Sequence, residues 1–443
     1  MNARLAALVS ILCGATFLCA QPSSSGTGAS SVGGKLQFVV IISRHGVRSP
    51  TGKLATLNQY SAQPWPSWTV PAGYLTAHGF QLMTLFGTYD RELLASQGLL
   101  AAEGCGGFDR IRILADSDQR TRETGKALAQ GIAPGCNVSV AALPEGTLDP
   151  LFHPVEAGIG MPNRDLAAAA ILGRIGNQPQ ALANAYRPQL QKLDSILRNC
   201  ALTAVCNVAA ISKPASLFSI PSAVAPGNSG HLVEFRSPLS LASTITENFL
   251  LEYAEGMEVQ NVGWGRVDPE TLRGLLQLHV ASEDITGRTA YIARAQASNL
   301  LSHVLASVQQ AVLRHPVPGA LSKPEDALLI LVGHDTNLAN IAGALGISWI
   351  IDGRRDDTPP GGALILELWQ SSSAQAFPRS YEVRLRYTAQ TLDQMRNSTP
   401  LSLSVSPESV PVFLPGCSRS DFSCDWDSFL HAASAAIDPA FVR

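Results

Sequence analysis

Three short apolar runs in this chain stop abruptly at clusters of charged and hydrogen-bonding residues. Phe38-Val39-Val40-Ile41-Ile42 leads into Ser43-Arg44-His45. Ile111 to Ala115 leads into Asp116-Ser117-Asp118-Gln119-Arg120, and Leu328 to Val332 leads into Gly333-His334-Asp335-Thr336-Asn337. Runs of this kind predict buried strands over 37–42, 111–115 and 328–332. Ligands of open α/β sheets bind beyond the carboxyl ends of the strands. If the three strands are adjacent and parallel, their polar ends converge on one crevice. That pattern confines the chain to the α/β class with one shared site.

Further elements follow from spacing. Leu364–Trp369 predicts another buried strand, and Tyr381–Tyr387 alternates as a half-exposed strand does. Leu82, Leu85, Phe86, Tyr89 and Leu93 form an apolar stripe at helical spacing. Thr121–Gln130 and Leu338–Leu345 also predict helices, the second closed by Gly346. Both of these helices start at the crevice, where free N–H groups and partial positive charge favour a phosphate. The middle of the chain is rich in alanine and leucine, with helix-like stretches at 164–173, 180–198 and 239–255 and a Pro/Ser/Gly-rich break at 213–230. It reads as a helical domain, 151–290, inserted into an α/β domain formed by 35–150 and 291–443. The segment from Ser398 onward reads as a Pro/Ser-rich tail.

The bulk numbers exclude some classes. Hydrophobic residues make up 46% of the 443 and charged residues 15%, so a large core is expected. A net charge of −3 without a long basic run argues against a nucleic-acid partner. Arg4 followed by the apolar stretch Leu5–Ala20 reads as an export signal over 1–20, with 21–34 as a disordered lead-in. No later segment is apolar enough to span a membrane. A periplasmic or secreted location, and a monomer, are expected. Beyond the signal lie Cys105, Cys136, Cys200, Cys206, Cys417 and Cys424. An even number in an exported chain predicts disulfides, for which six cysteines allow fifteen pairings. Pairing of sequence neighbours, Cys105–Cys136, Cys200–Cys206 and Cys417–Cys424, is expected. Their spacing does not match a zinc site.

Arg44-His45-Gly46-Val47-Arg48-Ser49-Pro50 carries the most specific chemistry. Two guanidinium forks beside one imidazole make an oxyanion nest with a nucleophile at its centre. His45 is the candidate nucleophile, kept unprotonated in mild acid by the neighbouring arginines. Arg44, Arg48 and Arg120 are candidate ligands of a phosphoryl group, with His334 as another donor. Asp335 is the candidate acid that protonates the leaving oxygen and then activates water. Arg120 has a competing structural role, neutralising Asp116 or Asp118. Those two aspartates resemble the start of a calcium loop, but the twelfth position is Ala127, which excludes one. His78, His153, His231, His279, His303, His315 and His431 lie in no comparable setting and read as surface or packing histidines. Trp65, Trp68 and Trp264 read as packing residues.

With these motifs in place, the chain resembles the histidine acid phosphatases, in the branch of bacterial periplasmic phytases and glucose-1-phosphatases. The resemblance runs from about Phe38 to Ser428 and rests on RHGVRSPT, WPSWTVPAGYLTAHG, ADSDQRTRETG, GWGRV, GHDTNLANIAGALG and TPPGG. It implies a mixed-sheet α/β domain with a smaller α-domain, a substrate cleft between them, and no cofactor or metal. It assigns the nucleophile to His45, the proton donor to Asp335, and phosphate binding to Arg44, Arg48, Arg120 and His334. Thr51, in the first motif, and Glu247, in SLASTITENFLLEYAEGM, join the substrate-binding set. Thr336 after the His-Asp pair matches the phytase form. The chain departs from the pattern at Gly52, where a lysine is usual, at Thr244, where a methionine is usual, and at Gln296, where a second arginine is usual. Fewer cations weaken the hold on a polyanion such as phytate. The resemblance still implies phytate hydrolysis as the expected activity, with glucose-1-phosphatase or broad-specificity acid phosphatase activity as the alternative and a phosphoester-binding protein without turnover as the remote one.

Overall fold

Phe38 to Ile42 are each no more than 4% exposed, the burial of a strand covered on both faces. Each such side chain contributes about 1.5–3 kcal/mol of burial. These residues lie in β1, Gly34–Arg44. The computed structural model describes residues 34–199, 214–228, 230–371 and 380–443. The signal segment 1–20, residues 21–33 of the lead-in, and the Cys200 and Cys206 pairing fall outside the described residues.

The other strands of the central sheet are β2 (Ile111–Ala115), β3 (Val140–Ala141), β4 (Leu328–Gly333), β5 (Ala363–Ser371), β6 (Tyr381–Ala389), β7 (Glu408–Val412) and β8 (Ser423–Asp425). Their order is β7-β6-β5-β1-β4-β2-β3, with β8 pairing to β6. β1, β4, β2 and β3 run parallel, while β5, β6, β7 and β8 pair antiparallel. The sheet is therefore mixed, and the three strands singled out from sequence are adjacent and parallel. Their register is level: Ile41 faces Ile330, which faces Ile113. Their carboxyl ends stop together, so the polar clusters that follow must meet.

The principal helices are α1 (Ala77–Ser96), α2 (Gln119–Ile132), α3 (Arg164–Arg174), α4 (Pro238–Ala254), α5 (Pro269–Thr286), α6 (Ala290–Leu313), α7 (Asp335–Leu345) and α8 (Trp426–Ala436). Alternate residues of β1 face opposite layers. Val39 and Ile41 pack with Leu82's neighbours Met83 and Phe86 of α1 and with Leu128 of α2. Val40 and Ile42 pack with Leu300 and Val304 of α6, Leu338 of α7 and Phe429 of α8. A third core joins α4 and α5 to the helix Arg187–Arg198.

Several expectations need amendment. The helix anticipated over 180–198 is two, Pro179–Ala185 and Arg187–Arg198, because Pro188 restarts the chain as a helix N-terminus after Tyr186. The break at 213–230 contributes a strand, Ala223–Pro226, to a hairpin with Val233–Arg236. The Pro/Ser-rich segment after Ser398 supplies β7, β8 and α8 as well as the Cys417–Cys424 bond. α5 and α6 were not anticipated. α6 packs Ile292 and Ala295 with Val155 and Ile171 at one end, and Leu300 and Val308 on the sheet at the other. Cys105–Cys136 and Cys417–Cys424 are bonded, with Cα atoms 5.6 and 5.4 Å apart.

Candidate active site

The level strand ends are stitched together by backbone. His45 N–H donates to the Gly333 carbonyl (3.0 Å), Asp116 N–H to Val332 (3.0 Å), and Arg44 N–H to Gly362 (2.9 Å). Gly46 N–H donates to Thr124 Oγ1 of α2 (2.9 Å). Gly79 of α1 lies so close to Val47 that a Cβ there would overlap its carbonyl oxygen. The loop after β1 is thus held from three sides.

On this frame His45 Nδ1 lies 2.9 Å from the Gly46 carbonyl. A carbonyl only accepts, so Nδ1 carries the proton and Nε2 keeps its lone pair. Burial, then Arg48, Arg44, Arg120 and His334, drive the His45 imidazole well below its ordinary pKa. The neutral form is thereby favoured in mild acid.

The arginines are held by carboxylates and carbonyls. Arg44 is fully buried. Its Nη1 donates to the Thr358 carbonyl (2.6 Å), and its Nη2 meets Glu247 and Asp335 Oδ2, the latter at 3.0 Å. Arg48 donates to the Ser49 carbonyl (3.0 Å) and lies 3.9 Å from Glu247. Burial pulls the Arg48 guanidinium down to about 10. Arg120 pairs with Asp118 (2.5 Å) and reaches His334 Nδ1 at 3.4 Å. Its structural role and its place at the crevice therefore coexist. The Nε–H groups of all three arginines are buried and find no acceptor among the described residues.

α7 begins at the same point. His334 caps it, with its own N–H bonded to Asn337 Oδ1 (2.9 Å). Asp335 Oδ1 accepts from the Thr336 N–H (2.8 Å). Burial alone would raise the Asp335 carboxyl, but Arg44, His279, Arg48 and His334 outweigh it and hold it well below the usual carboxylate range. The His45 and His334 rings meet edge to face, 5.6 Å apart.

The structure thus brings Arg44, His45, Arg48, Arg120, His334 and Asp335 together. Glu247, on α4, turns its carboxylate onto Arg44 and Arg48. Thr51 lies farther out: its Cγ2 and Arg120 Nη1 flank Gly73, 3.1 and 3.6 Å from where a Cβ of that residue would stand. Trp65 stacks with Phe249 and meets Trp264 at a tilt. Trp65 and Trp68 also line a pocket of about 310 Å³ with Ser49, Pro50 and Asn248, so packing is only part of their role. Gly52 and Thr244, two of the departures from the family pattern, are neighbours: a Cβ on Gly52 would lie 3.3 Å from Thr244 Cγ2.

Two histidines set aside on sequence belong to this region. His153 Nε2 and His334 Nε2 both meet Asp116 Oδ2, at 2.8 and 2.6 Å. His279, buried on α5, bonds Ser243 (3.0 Å). Burial lowers its pKa, but Glu247, Glu283 and Asp335 more than offset this, and it ends raised. No local motif marks either residue. Asp116, His153 and His334 place three donor atoms within 4.8 Å of one another. Both imidazole N–H groups are spent on the carboxylate, and Arg120 stands beside His334 Nδ1. That donor set does not fit a divalent cation.

A buried, neutral imidazole with a free Nε2, ringed by arginines at the ends of parallel strands, defines a class of phosphoryl-transfer enzymes. The chain belongs to the histidine phosphatase superfamily (branch 2), whose model matches residues 35–388. It is a phosphoric monoester hydrolase of the histidine acid phosphatase type. It is 36% identical over 414 residues to the phytase AppA of Escherichia coli (strain K12), covering 92% of this chain and 93% of that protein. It is 28% identical over 414 residues to the glucose-1-phosphatase of Providencia rettgeri, covering 91% and 92%. Among solved structures it resembles the Hafnia alvei phytase in complex with tartrate, with a TM-score of 0.83 and 34% identity over 93% of this chain and 99% of that one.

Proposed function

We propose that the chain is an exported acid phosphatase that hydrolyses phosphate monoesters, phytate among them, through a phosphohistidine on His45. The observation that carries this reading is the His45 tautomer: Nδ1 is tied to Gly46 and a lone pair is left on Nε2 among three arginines. Their buried, unpartnered Nε–H groups suit an incoming oxyanion. His45 Nε2 attacks phosphorus as the P–O bond to the alcohol breaks, and Asp335 gives its proton to the leaving oxygen. Water then loses a proton to the Asp335 carboxylate and attacks phosphorus, and the P–N bond breaks to restore neutral His45.

Asp335 is held ionised in the free protein, so the proton must come with the substrate. A phosphate monoanion entering the nest spends the charge of Arg44 and Arg48, raises the Asp335 carboxyl and can itself supply the proton. This sets an acidic working range. His334 Nδ1, which accepts from Arg120 in the free protein, becomes a donor to the phosphoryl oxygens only on taking a proton there. Glu247 acts as a positioning residue that fixes Arg44 and Arg48. The helical segment 151–290 supplies Glu247 as the far wall of the substrate cleft. No helix among the described residues is long and apolar enough to cross a membrane, which suits a soluble exported enzyme.

A second reading, preference for a sugar phosphate, has its own support. Neither Gly52 nor Thr244 carries a charge, Lys53 standing one place later in the chain, and among the described residues no arginine or lysine lines the Trp65–Trp68 pocket. Specificity constants on phytate and glucose-1-phosphate, between about pH 4 and 6 without added metal, separate the two. Phosphate label retained on wild type but not on His45→Ala, after denaturation without acid, tests the intermediate. Labelling that survives His45→Ala overturns the mechanism.

A further inference from the structure

One carboxylate oxygen serves two imidazoles. Asp116 Oδ2 lies 2.6 Å from His334 Nε2 and 2.8 Å from His153 Nε2, and the two rings are 5.2 Å apart. A carboxylate oxygen accepts, so both Nε2 atoms carry hydrogen. His334 Nδ1 faces the Arg120 guanidinium at 3.4 Å. A guanidinium only donates, so Nδ1 holds a lone pair, and His334 rests as the neutral Nε2–H tautomer. Asp116 is 1% exposed and the His334 side chain 7%, whereas the His153 side chain is 31% exposed. A second imidazolium on the same oxygen, next to Arg120, would leave uncompensated positive charge at the buried end.

We propose that His153 is a positioning residue: by sharing the Asp116 oxygen with His334, it keeps His334 a neutral acceptor for Arg120 until a phosphoryl group arrives. His153 takes the proton that Asp116 can stabilise, because its ring reaches water and that of His334 does not. The surrounding charges agree. His153 faces Asp116 and Asp118 from the end of β2, Glu156 and Asp149 from its own loop, and His334 from α7. His303 of α6 and the terminal Arg443 line the cavity behind that loop with Asp149. Acidic groups therefore dominate on the His153 side. His334 faces the Arg120 guanidinium and the neutral His45 on its other side, with Asp118, the partner of Arg120, 3.7 Å from its Nε2. Burial lowers both imidazoles; the Asp116 hydrogen bond and charge more than restore His153, while Arg120 and His153 keep His334 low. His334 is thereby free to accept a proton at Nδ1 only when an anion is bound there, and Arg120 is held in place meanwhile.

This inference rests on the placement of His334 among the oxyanion donors, but its test does not require turnover. In His153→Asn the amide keeps a donor for Asp116 and loses the charge. The His334 imidazole, followed by NMR in the free protein, is expected to titrate about one pH unit higher, the scale of a like charge removed from this distance. His153→Ala should move it the same way. The alkaline limb of competitive inhibition by inorganic phosphate should move with it. A purely structural role for His153 would weaken His153→Ala at every pH and leave the His334 titration of His153→Asn unchanged, and that result overturns the proposal. Loss of phosphate inhibition at all pH values, with the His334 shift present, would instead count against the proposed function.

Discussion

At the scale of single residues, the chemistry depends on which charges are already spent. Asp335 sits on Arg44 at 3.0 Å, and in the proposed mechanism it serves the leaving group only once a phosphoryl anion has taken over that guanidinium. Asp335→Asn removes the proton source and leaves the nucleophile. It should slow alkyl phosphates by several orders of magnitude and an activated aryl phosphate, whose leaving oxygen needs no proton, far less. Equal slowing of the two esters would exclude Asp335 as the acid. The substrate preference turns on a different pair. Gly52 and Thr244 face each other with room for a Cβ at 3.3 Å, a separation that shifts of a few tenths of an ångström relieve. Gly52→Lys should therefore fold, and should place a cation at the edge of the nest. The ratio of kcat/KM on phytate to that on glucose-1-phosphate should rise about five- to tenfold, the worth of one partly exposed charge contact of about 1 kcal/mol. An unchanged ratio would show that this wall does not meet the substrate.

At the scale of elements, the site exists because three strands end level and two helices begin there. This much was legible, since each strand is an uninterrupted apolar run and each ending is a block of polar residues. The disulfides at Cys105–Cys136 and Cys417–Cys424 were legible for a similar reason, being short-range pairs. α6 was not legible. It buries one stretch against the helical region and another against the sheet, so its apolar residues surround it instead of forming one stripe. His153 was not legible either, because its partner Asp116 is 37 residues away and no local pattern links them. Helix contacts with the motif loop were equally hidden, and they give an element-scale prediction. Alanine normally stabilises a helix interior by about 1 kcal/mol over glycine. Gly274, in α5, has nothing within 4 Å of where its Cβ would stand, and Gly274→Ala should gain about that much in chemical denaturation. Gly79, in α1, is pressed on the Val47 carbonyl. There the overlap outweighs propensity, and Gly79→Ala should lose about 1–3 kcal/mol together with much of kcat, as the loop carrying His45 is displaced. If both variants gain stability, α1 does not brace the loop.

At the scale of the whole molecule, carboxyls outside the catalytic cluster decide where in pH the fold is most stable. Asp90 on α1 is 2% exposed and Glu252 on α4 is 1% exposed. Burial, only partly offset by Arg386, raises the Asp90 carboxyl to about 7. Burial, only partly offset by the Gly263 N–H, raises Glu252 to about 8. In the unfolded chain both titrate near the ordinary value of about 4. Between about 4 and these raised values the folded chain holds protons that the unfolded chain has released, so its stability falls as pH rises. Asp116 and Asp335 have the opposite sign. Burial would raise them, but the His153 and His334 hydrogen bonds on Asp116, and Arg44 and its neighbours on Asp335, hold both below the ordinary value. Their contribution is present above about pH 4 and is lost only as pH falls through their depressed folded values. His45 and His334, held neutral in the fold, act against this decline up to about pH 6.5, where the unfolded imidazoles bind protons, so the fall set by Asp90 and Glu252 stands clear from about pH 6.5 to 8. Melting temperatures measured across that range should fall by several degrees, since 1 kcal/mol moves a domain's Tm by about 2–4 °C. Asp90→Asn and Glu252→Gln should each flatten the decline, because each removes one of the groups that must ionise in the interior. A Tm that is level or rising from about pH 6.5 to 8 would mean that these carboxyls ionise in contact with water. An enzyme that works on phosphate monoanions would then draw its acid tolerance from the catalytic cluster alone.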